Sequence, residues 1–139
     1  FDEDDPYYCA AKDELYFWST RDGGQDIFMA KNGSVTKLAS PINSGKGELQ
    51  PFLTPDCQTL YFSSSRGATA SGEHIIQIYS SARLGENEWA PPELFLGARI
   101  GTAEPTFTSD GKTMFFVQMF QTPQGQYILD IYSMQKKPN

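Results

Sequence analysis

Polar side chains that can bind cations or transfer protons recur at one place relative to three prolines. Asp5, Gln50 and Glu104 each stand directly before a proline, and Glu3 and Glu48 lie two residues before Asp5 and Gln50. Two carboxylates at a fixed separation provide the acid and base of glycoside hydrolysis, and carboxylate oxygens also bind hard cations. If the fold brings these positions together, they form a polar ring that can bind a cation, a sugar or a basic peptide.

Two interpretations of this set are open. In the first, the side chains gather around one opening and bind a partner or ligand. In the second, they accept hydrogen bonds from backbone donors at the starts of strands and otherwise face water. Gln50 interrupts the acidic series, which favours the second interpretation.

Two arginines also recur at matching positions. Arg21 follows the segment ELYFWST, and Arg66 follows TLYFSSS. A guanidinium group can bind a partner's carboxylate through two parallel hydrogen bonds, so both arginines are candidate partner-binding residues. The alternative, which we favour, is pairing with a carboxylate of their own or a neighbouring repeat.

The residue types that most often carry catalysis or bind metals are sparse. His74 is the single histidine, and the sequence identifies no nucleophile or carboxylate as its partner. Cys9 and Cys57, the two cysteines, show no metal-ligand spacing. We therefore expect no catalytic residue, no metal site and no other cofactor. The cysteines either form a disulfide or remain two half-buried thiols, and the sequence leaves this open.

The composition suits a β-rich globular domain and argues against two classes of function. Of 139 residues, 39% are hydrophobic and 14% are aromatic, and the aromatic share favours strands over helices. The net charge of −6 argues against nucleic-acid binding, which depends on clustered Lys and Arg. No apolar run approaches the roughly 20 residues that a transmembrane helix needs.

The elements that position the candidate residues come from an internal repeat. Pro6, Pro51 and Pro105 begin three similar segments and are 45 and 54 residues apart. In each segment an apolar block ends on a phenylalanine eleven residues after the proline, and DIF, QIY or DIY follows after a polar connection. A period in this range is typical of repeat architectures.

Each repeat is predicted to contain short antiparallel strands. PYYC, PFLT and PTFT begin the repeats, and the step into each proline favours an extended conformation in the preceding residue. A tight turn such as SDGK leads to a second strand with consecutive apolar residues, which is typical of a strand covered on both faces. The third strand carries Ile-Phe or Ile-Tyr, and a weaker fourth strand is predicted at SVTKLA and PELFLG. The third repeat ends before its fourth strand.

Doubly covered short strands in units of this length predict a β-propeller. We predict an all-β fold, a β-propeller segment of three four-stranded antiparallel blades with the last blade incomplete. It forms a single domain over residues 1–139, with repeats at approximately 5–47, 48–102 and 103–139. Propellers typically close with four to eight blades. Three blades therefore indicate either a fragment of a longer propeller or copies that assemble into a closed ring.

The motif Pro-x-x-(Ser/Thr)-x-Asp-Gly-Lys-x-(Leu/Met)-aromatic-Phe, followed by Ser-x-Arg and Asp-Ile-Tyr, resembles the WD40-like PD40 repeat of TolB-type β-propellers. PTFTSDGKTMFF is the nearest copy, and LQPFLTPDCQTLYFSSSRG with WAPPELFLG is similar to a variant common in cell-envelope proteins. The resemblance covers nearly the whole chain and implies a fold more than an activity. It also implies a periplasmic or extracellular location. Three positions depart from the pattern: the first unit lacks the Asp-Gly turn, Cys57 replaces the glycine, and Phe120 replaces the arginine.

We therefore expect a non-enzymatic protein-binding or scaffolding module of the cell envelope or secreted space. Its partners would be envelope proteins, further propeller blades or a glycan. A first alternative is a carbohydrate-binding or glycoside-active propeller that uses Asp5, Glu48 and Glu104, and a second is a self-assembling structural subunit. The candidate binding residues, expected at the mouth of the central channel, are Asp5, Glu48, Gln50, Glu104, Arg21 and Arg66.

Overall fold

A computed structural model of the protein describes residues 1–67 and 72–135, and its regular structure consists of eleven β-strands. Within these two ranges, no helix has the length and apolar character that crossing a membrane requires.

The strands form three antiparallel sheets in chain order. The first sheet, blade 1, consists of β1 (Glu3–Cys9), β2 (Glu14–Ser19), β3 (Asp26–Lys31) and β4 (Ser34–Lys37). Blade 2 consists of β5 (Glu48–Leu53), β6 (Thr59–Ser64), β7 (Gln77–Ala82) and β8 (Glu93–Leu96). Blade 3 consists of β9 (Thr102–Phe107), β10 (Thr113–Gln121) and β11 (Tyr127–Gln135). The predicted all-β architecture of three antiparallel blades is confirmed, and within residues 1–67 and 72–135 blade 3 has three strands.

The blades stack face to face through the first strand of each following blade. Strand β5 contacts β1, β2 and β3 of blade 1, and β9 contacts β5, β6 and β7 of blade 2. The larger core cluster lies between blades 1 and 2, and a smaller one lies between blades 2 and 3. Because the inner strands are covered on both sides, their apolar residues are consecutive, as the sequence indicated.

Two of the inner hairpins use the same turn. Thr54 donates a hydrogen bond from its hydroxyl to Asp56 at 2.6 Å, and Thr108 does the same to Asp110 at 2.6 Å. Each aspartate also accepts the backbone N–H two residues further on, at 3.0 Å. These hydrogen bonds, the hydroxyl bond first, hold the pKa of both carboxyl groups below the usual value. The Asp side chain therefore fixes the turn, as predicted from the repeat motif.

A disulfide bond joins Cys9 at the end of β1 to Cys57 in the turn between β5 and β6. Their Cα atoms are 6.1 Å apart, and both side chains are buried. Cys57 adopts a left-handed φ of 57° at the position where blade 3 has Gly111 with a φ of 67°. The structure thus decides between the two cysteine states that the sequence left open, and it links blade 1 covalently to blade 2.

The residues before the three repeat prolines have a conformation that the sequence-based prediction got wrong. An extended backbone was expected there, but φ is 50° at Asp5, 52° at Gln50 and 58° at Glu104. The prolines do not start the strands either, because each strand begins three residues earlier and is interrupted by a β-bulge at the proline. A bulge takes the proline, which has no N–H, out of the hydrogen-bonded ladder. The left-handed residue beside it is the geometric consequence.

Candidate functional site

The three bulges bring the residues before the prolines to one cavity. Its volume is about 320 Å³, and it opens where the first strands of the three blades meet. The lining residues are Asp5, Pro6, Tyr7, Gln50, Pro51, Phe52, Glu104, Pro105 and Thr106. We call this the inner-strand cavity. Asp5, Gln50 and Glu104, which are 45 and 54 residues apart in sequence, are therefore neighbours in space.

The polar side chains of the inner-strand cavity differ in whether they form hydrogen bonds within the protein. Asp5 accepts a hydrogen bond from the indole N–H of Trp18 at 2.7 Å. The side-chain oxygen of Gln50 accepts the backbone N–H of Glu104 at 3.2 Å, and Ser63 accepts the same N–H at 3.1 Å. The Glu104 carboxylate is exposed and has no hydrogen bond or ion pair with the residues that the structure describes. It is the acidic group of this cavity that remains available to a ligand.

Aromatic rings form the apolar side of the same cavity. Tyr7 of blade 1 and Phe52 of blade 2, which both line the cavity, have ring centroids 4.6 Å apart. Phe107 of blade 3 packs against Phe52 at 5.5 Å but is not a lining residue. Burial raises the pKa of the Tyr7 hydroxyl, so the ring is a neutral surface at physiological pH. The cavity combines a free carboxylate from blade 3 with two aromatic rings, one from blade 1 and one from blade 2.

Glu48 does not lie at this cavity, contrary to the expectation for it. Its side chain is fully buried and accepts hydrogen bonds from the Ser44 N–H at 3.0 Å, the Ser44 hydroxyl at 2.6 Å and the Ser64 hydroxyl at 2.8 Å. A nitrogen of Arg66 lies 3.4 Å from the same carboxylate. A buried carboxylate needs such partners because removing a charge from water is costly. Glu48 therefore stabilises the fold and is not accessible to a ligand.

Both arginines are also placed away from the inner-strand cavity. Arg66 donates to the backbone carbonyls of Pro41 and Ile42, which lie in the connection from blade 1 to blade 2, and its guanidinium lies 4.9 Å from the Phe62 ring centre. Arg21 forms an ion pair with Glu3. Both guanidinium groups thus bind partners within the molecule. Neither arginine lines the inner-strand cavity, where the sequence had placed them.

A buried charge cluster that the sequence did not indicate lies between blades 1 and 2. Glu14 of β2 is fully buried, and its carboxylate lies 2.7 Å from Arg83, 3.1 Å from Lys31 and 2.8 Å from the Tyr16 hydroxyl. Arg83 directly follows β7 of blade 2 and also covers the ring of Trp89 at 4.6 Å. The repeat gave no signal for this cluster, because the positions equivalent to Glu14 in the other two blades are threonines.

The cluster shifts the acidities of its two acidic members in opposite directions. Burial alone raises the pKa of Glu14, but the hydrogen bonds from Tyr16 and Lys31 and the charge of Arg83 outweigh it, so the pKa lies below the usual value. Burial, together with the hydrogen bond that it donates to Glu14, raises the pKa of Tyr16. Glu14 is thus ionised and Tyr16 neutral at neutral pH. All of these side chains are paired with one another, which points to a structural role.

The remaining candidates for chemistry are accounted for by ordinary contacts. His74 is exposed, with its Nδ1 atom 3.0 Å from the Ser65 carbonyl oxygen. Trp89 is buried between Arg83 and Tyr16, so its ring is not a surface on which a sugar could stack. Within residues 1–67 and 72–135, no group of three or more His, Cys, Asp and Glu side chains could hold a metal ion.

Comparison with known proteins gives a match in structure but not in sequence. No protein-family model matches the chain, and no curated protein is similar to it in sequence. Among solved structures, a TolB from Agrobacterium tumefaciens superposes with a TM-score of 0.65 at 18% identity, covering 94% of this chain and 44% of the other. TolB from Acinetobacter baumannii superposes with a TM-score of 0.60 at 19% identity, covering 91% of this chain and 29% of the other.

The fold is that of a TolB-type β-propeller. The predicted resemblance is confirmed at the level of fold, and the chain spans less than half the length of either TolB structure. At these identities the likeness concerns the backbone arrangement.

Proposed function

We propose that the protein is a non-enzymatic protein-binding module whose inner-strand cavity binds a peptide segment of its partner. The observation that carries this proposal is the unpaired Glu104 carboxylate beside the aromatic rings of Tyr7 and Phe52. The other two carboxylates of the candidate set, Asp5 and Glu48, are held by internal donors. A site with one free charge and an apolar wall binds a ligand that presents both chemistries.

The ligand that fits this combination is an extended segment with a Lys or Arg next to an apolar residue. A cation would pair with Glu104, while the apolar side chain would pack on the aromatic wall. The inner-strand cavity lies at positive-φ bulges, and such strained positions occur where a backbone is held for binding. The net charge of −6 further favours basic partners by attraction at long range.

Glycoside hydrolysis, the enzymatic alternative, needs two carboxylates on opposite sides of the scissile bond. Of the three residues considered for it, Glu48 is fully buried and Asp5 accepts a hydrogen bond from Trp18. Only Glu104 remains exposed and free, so the geometry supports binding better than this chemistry.

A periplasmic or extracellular location is part of the proposal. Disulfide bonds persist in oxidising compartments, and Cys9 and Cys57 are bonded. The resemblance to TolB-type propellers implies the same location. Fractionation of cells that express the tagged native gene tests this point, and recovery of the protein only in the cytosol with reduced cysteines would contradict it.

Selection from a random peptide library displayed on phage, with the full chain as bait, tests the binding role. We expect enriched peptides with a basic residue beside an apolar one. Their affinity, measured by fluorescence polarisation, should fall about tenfold or more in Glu104→Gln, because the variant removes the charge and keeps the shape.

The matched control is Glu93→Gln on β8, which removes an exposed carboxylate from the outer strand of blade 2. It changes the net charge equally and should leave the affinity within about twofold, since a distant surface charge is screened by salt. Equal losses in the two variants, or no enrichment at all, would reject the inner-strand cavity as the binding site.

A further inference from the structure

A second cavity lies where the connection from blade 2 to blade 3 meets the hairpin turn between β10 and β11. Its volume is about 420 Å³. We call it the Arg99 cavity, and none of its lining residues belongs to the inner-strand cavity. Its charged group is a cation, and no acidic side chain is among its described lining residues. The lining residues are Arg99, Ile100, Phe120, Gln121, Thr122 and Pro123.

Backbone hydrogen bonds hold both walls of the Arg99 cavity in place. The Gly101 carbonyl accepts the N–H of Met119 at 3.0 Å, which fixes the connection beside the end of β10. Across the hairpin turn, the N–H of Thr122 donates to the Gln126 carbonyl at 2.8 Å. The N–H of Gln126 donates in turn to the Thr122 hydroxyl at 3.1 Å. A ligand therefore meets a cavity that is already formed, which lowers the entropic cost of binding.

The equivalent place in blade 2 is occupied by an arginine of the protein itself. Arg66 and Phe120 occupy equivalent positions at the end of the second strand of their blades. Arg66 donates to two backbone carbonyls of the connection before blade 2, residues 38–47. Phe120 has no donor for such a contact, and the connection before blade 3, residues 97–101, is shorter. Blade 3 thus has a cavity where blade 2 has an internal arginine contact.

Arg99 is the one arginine whose guanidinium group has no partner among the described residues. All four arginines of the chain lie within residues 1–67 and 72–135. Arg21, Arg66 and Arg83 each form an ion pair with a glutamate. Arg99 is exposed and forms no hydrogen bond or ion pair with any residue that the structure describes. Its N–H donors are therefore available to a ligand.

The other walls of the Arg99 cavity supply an apolar surface and a second donor. Ile100 and Phe120 are half-buried, so each keeps exposed apolar surface. The alternation along β10 places Phe120 on the same face as Met114 and Phe116, which pack towards blade 2. The Thr122 hydroxyl accepts one backbone N–H and donates to no residue that the structure describes. The cavity between blades 2 and 3 thus combines a guanidinium group, a hydroxyl donor and an aromatic ring.

We propose that the Arg99 cavity binds a carboxylate next to an apolar side chain, in an acidic segment of a protein partner. The guanidinium group of Arg99 holds both carboxylate oxygens, and the apolar side chain packs on Ile100 and Phe120. A carboxylate fits better than a phosphate group, which carries a charge of about −2. Arg99 is the only cation among the described lining residues, and the net charge of −6 repels an anion whose charge is not compensated.

Titration of the full chain with N-acetylphenylalanine, followed by ¹H–¹⁵N NMR, tests the proposal. We expect the backbone amide signals of Ile100, Gln121 and Thr122 and the Nε–H signal of Arg99 to shift. The dissociation constant should be on the order of 1 mM for so small a probe. N-acetylphenylalaninamide has the same ring without the charge and should bind about tenfold more weakly or worse.

A third probe distinguishes the two sources of a carboxylate in a protein. N-acetylglutamylphenylalaninamide carries the carboxylate on a side chain, whereas N-acetylphenylalanine presents it as a chain terminus does. Tighter binding of the former supports an internal acidic residue as the ligand, and tighter binding of the latter supports a C-terminus.

Substitutions at Arg99 test whether it is the group that binds the carboxylate. Arg99→Gln should weaken the binding of N-acetylphenylalanine about tenfold or more, because it removes the cation. Arg99→Lys keeps the charge without the two parallel donors, so its loss should be smaller.

Lys46→Gln is the matched control for these variants. Lys46 is exposed, has no partner among the described residues and lies in the equivalent connection before blade 2. Its replacement changes the net charge equally and should leave the affinity within about twofold. The same NMR spectra verify that each variant is folded.

Four results would overturn the proposal. The first is equal affinity for N-acetylphenylalanine and its amide, and the second is an equal effect of Arg99→Gln and Lys46→Gln. The third is tighter binding of phenyl phosphate than of N-acetylphenylalanine. The fourth is that no signal of the cavity shifts at about 20 mM probe, well above the expected dissociation constant. None of these results bears on the peptide selection with Glu104→Gln, since the two cavities share no residue.

Discussion

At the residue scale, the cluster around Glu14 shows how a buried charge is tolerated. Glu14 and Arg83 are 0% and 3% exposed and come from different blades. Removing one member of such a pair leaves the other charge buried without compensation, and this costs about 3–5 kcal/mol. The cluster therefore couples the folding of blade 1 to that of blade 2. Its contribution to the free energy of unfolding also depends on pH.

The pH dependence follows from the lowered pKa of Glu14. A carboxyl group whose pKa is lower in the folded state stabilises fully above its unfolded value of about 4.3, and this contribution is lost as the pH falls through the folded pKa. We expect Glu14→Gln to reduce the free energy of unfolding at pH 7 by about 3 kcal/mol. The difference from wild type should shrink below about pH 4. Urea denaturation between pH 3 and pH 7 measures both effects.

Glu86→Gln is the matched control for this prediction. Glu86 lies 3.6 Å from the same Lys31, but its side chain is 77% exposed. Such surface pairs contribute roughly 0–1 kcal/mol. Parallel stability curves for wild type and Glu14→Gln across the pH range would refute the assigned role of the buried carboxylate.

At the element scale, the blades differ in the contact between the end of their second strand and the start of their first strand. In blade 2, Arg66 at the end of β6 pairs with Glu48 at the start of β5. Arg21 and Glu3 form the same pair in blade 1. In blade 3, Thr102 replaces the glutamate and donates a hydrogen bond to the Leu96 carbonyl at 2.9 Å. The arginine is correspondingly replaced by Phe120, whose ring centre lies 5.7 Å from that of Tyr132. Because both the glutamate and the arginine positions carry uncharged residues in blade 3, neither leaves an unpaired charge there.

The two arginine pairs should differ in their contribution to stability. Arg66→Met leaves the fully buried Glu48 without its cation and removes donors to two backbone carbonyls, so we expect a loss of about 3 kcal/mol. Arg21→Met breaks an ion pair whose Glu3 side chain is 42% exposed, and we expect a loss below about 1 kcal/mol. Chemical denaturation at pH 7 measures both values. Equal losses would show that Arg66 acts only as a surface residue.

At the scale of the whole molecule, the disulfide constrains how the blades separate. Cys9 and Cys57 are 48 residues apart and connect the inner hairpins of two neighbouring blades. Closing a loop of this length lowers the entropy of the unfolded chain, which stabilises the folded state by about 4 kcal/mol. The bond lies beside the Arg83 cluster, since Arg83 also donates to the Cys57 carbonyl at 2.8 Å.

Replacing both cysteines with serine should lower the stability by about 4 kcal/mol, and the melting temperature by roughly 10–15 °C. Scanning calorimetry of the variant and of the wild type measures this difference. Wild type that has been unfolded with a reducing agent present provides the control and should lose a similar amount. A difference below about 1 kcal/mol would mean that the bond adds nothing to the packing between the blades.

The sequence by itself determined the repeat and with it the fold. Three copies of a proline followed by a turn and an apolar block fix the strands, because consecutive apolar residues in so short a segment require cover on both faces. It also determined that Asp5, Gln50 and Glu104 are equivalent. Equivalent positions on inner strands converge in any propeller, so their meeting at one cavity follows from the repeat.

Only the tertiary structure decided which side chains of the candidate site are accessible. Glu48 and Glu104 are both glutamates that lie shortly before a repeat proline. Glu48 is nevertheless buried among Ser44, Ser64 and Arg66, whereas Glu104 is exposed. Contacts such as Glu14 with Arg83 and Cys9 with Cys57 join residues from different blades. A sequence repeat reveals only the features that the blades have in common. Burial and pairing depend on contacts between non-equivalent residues of neighbouring blades, and these contacts are determined by three-dimensional packing.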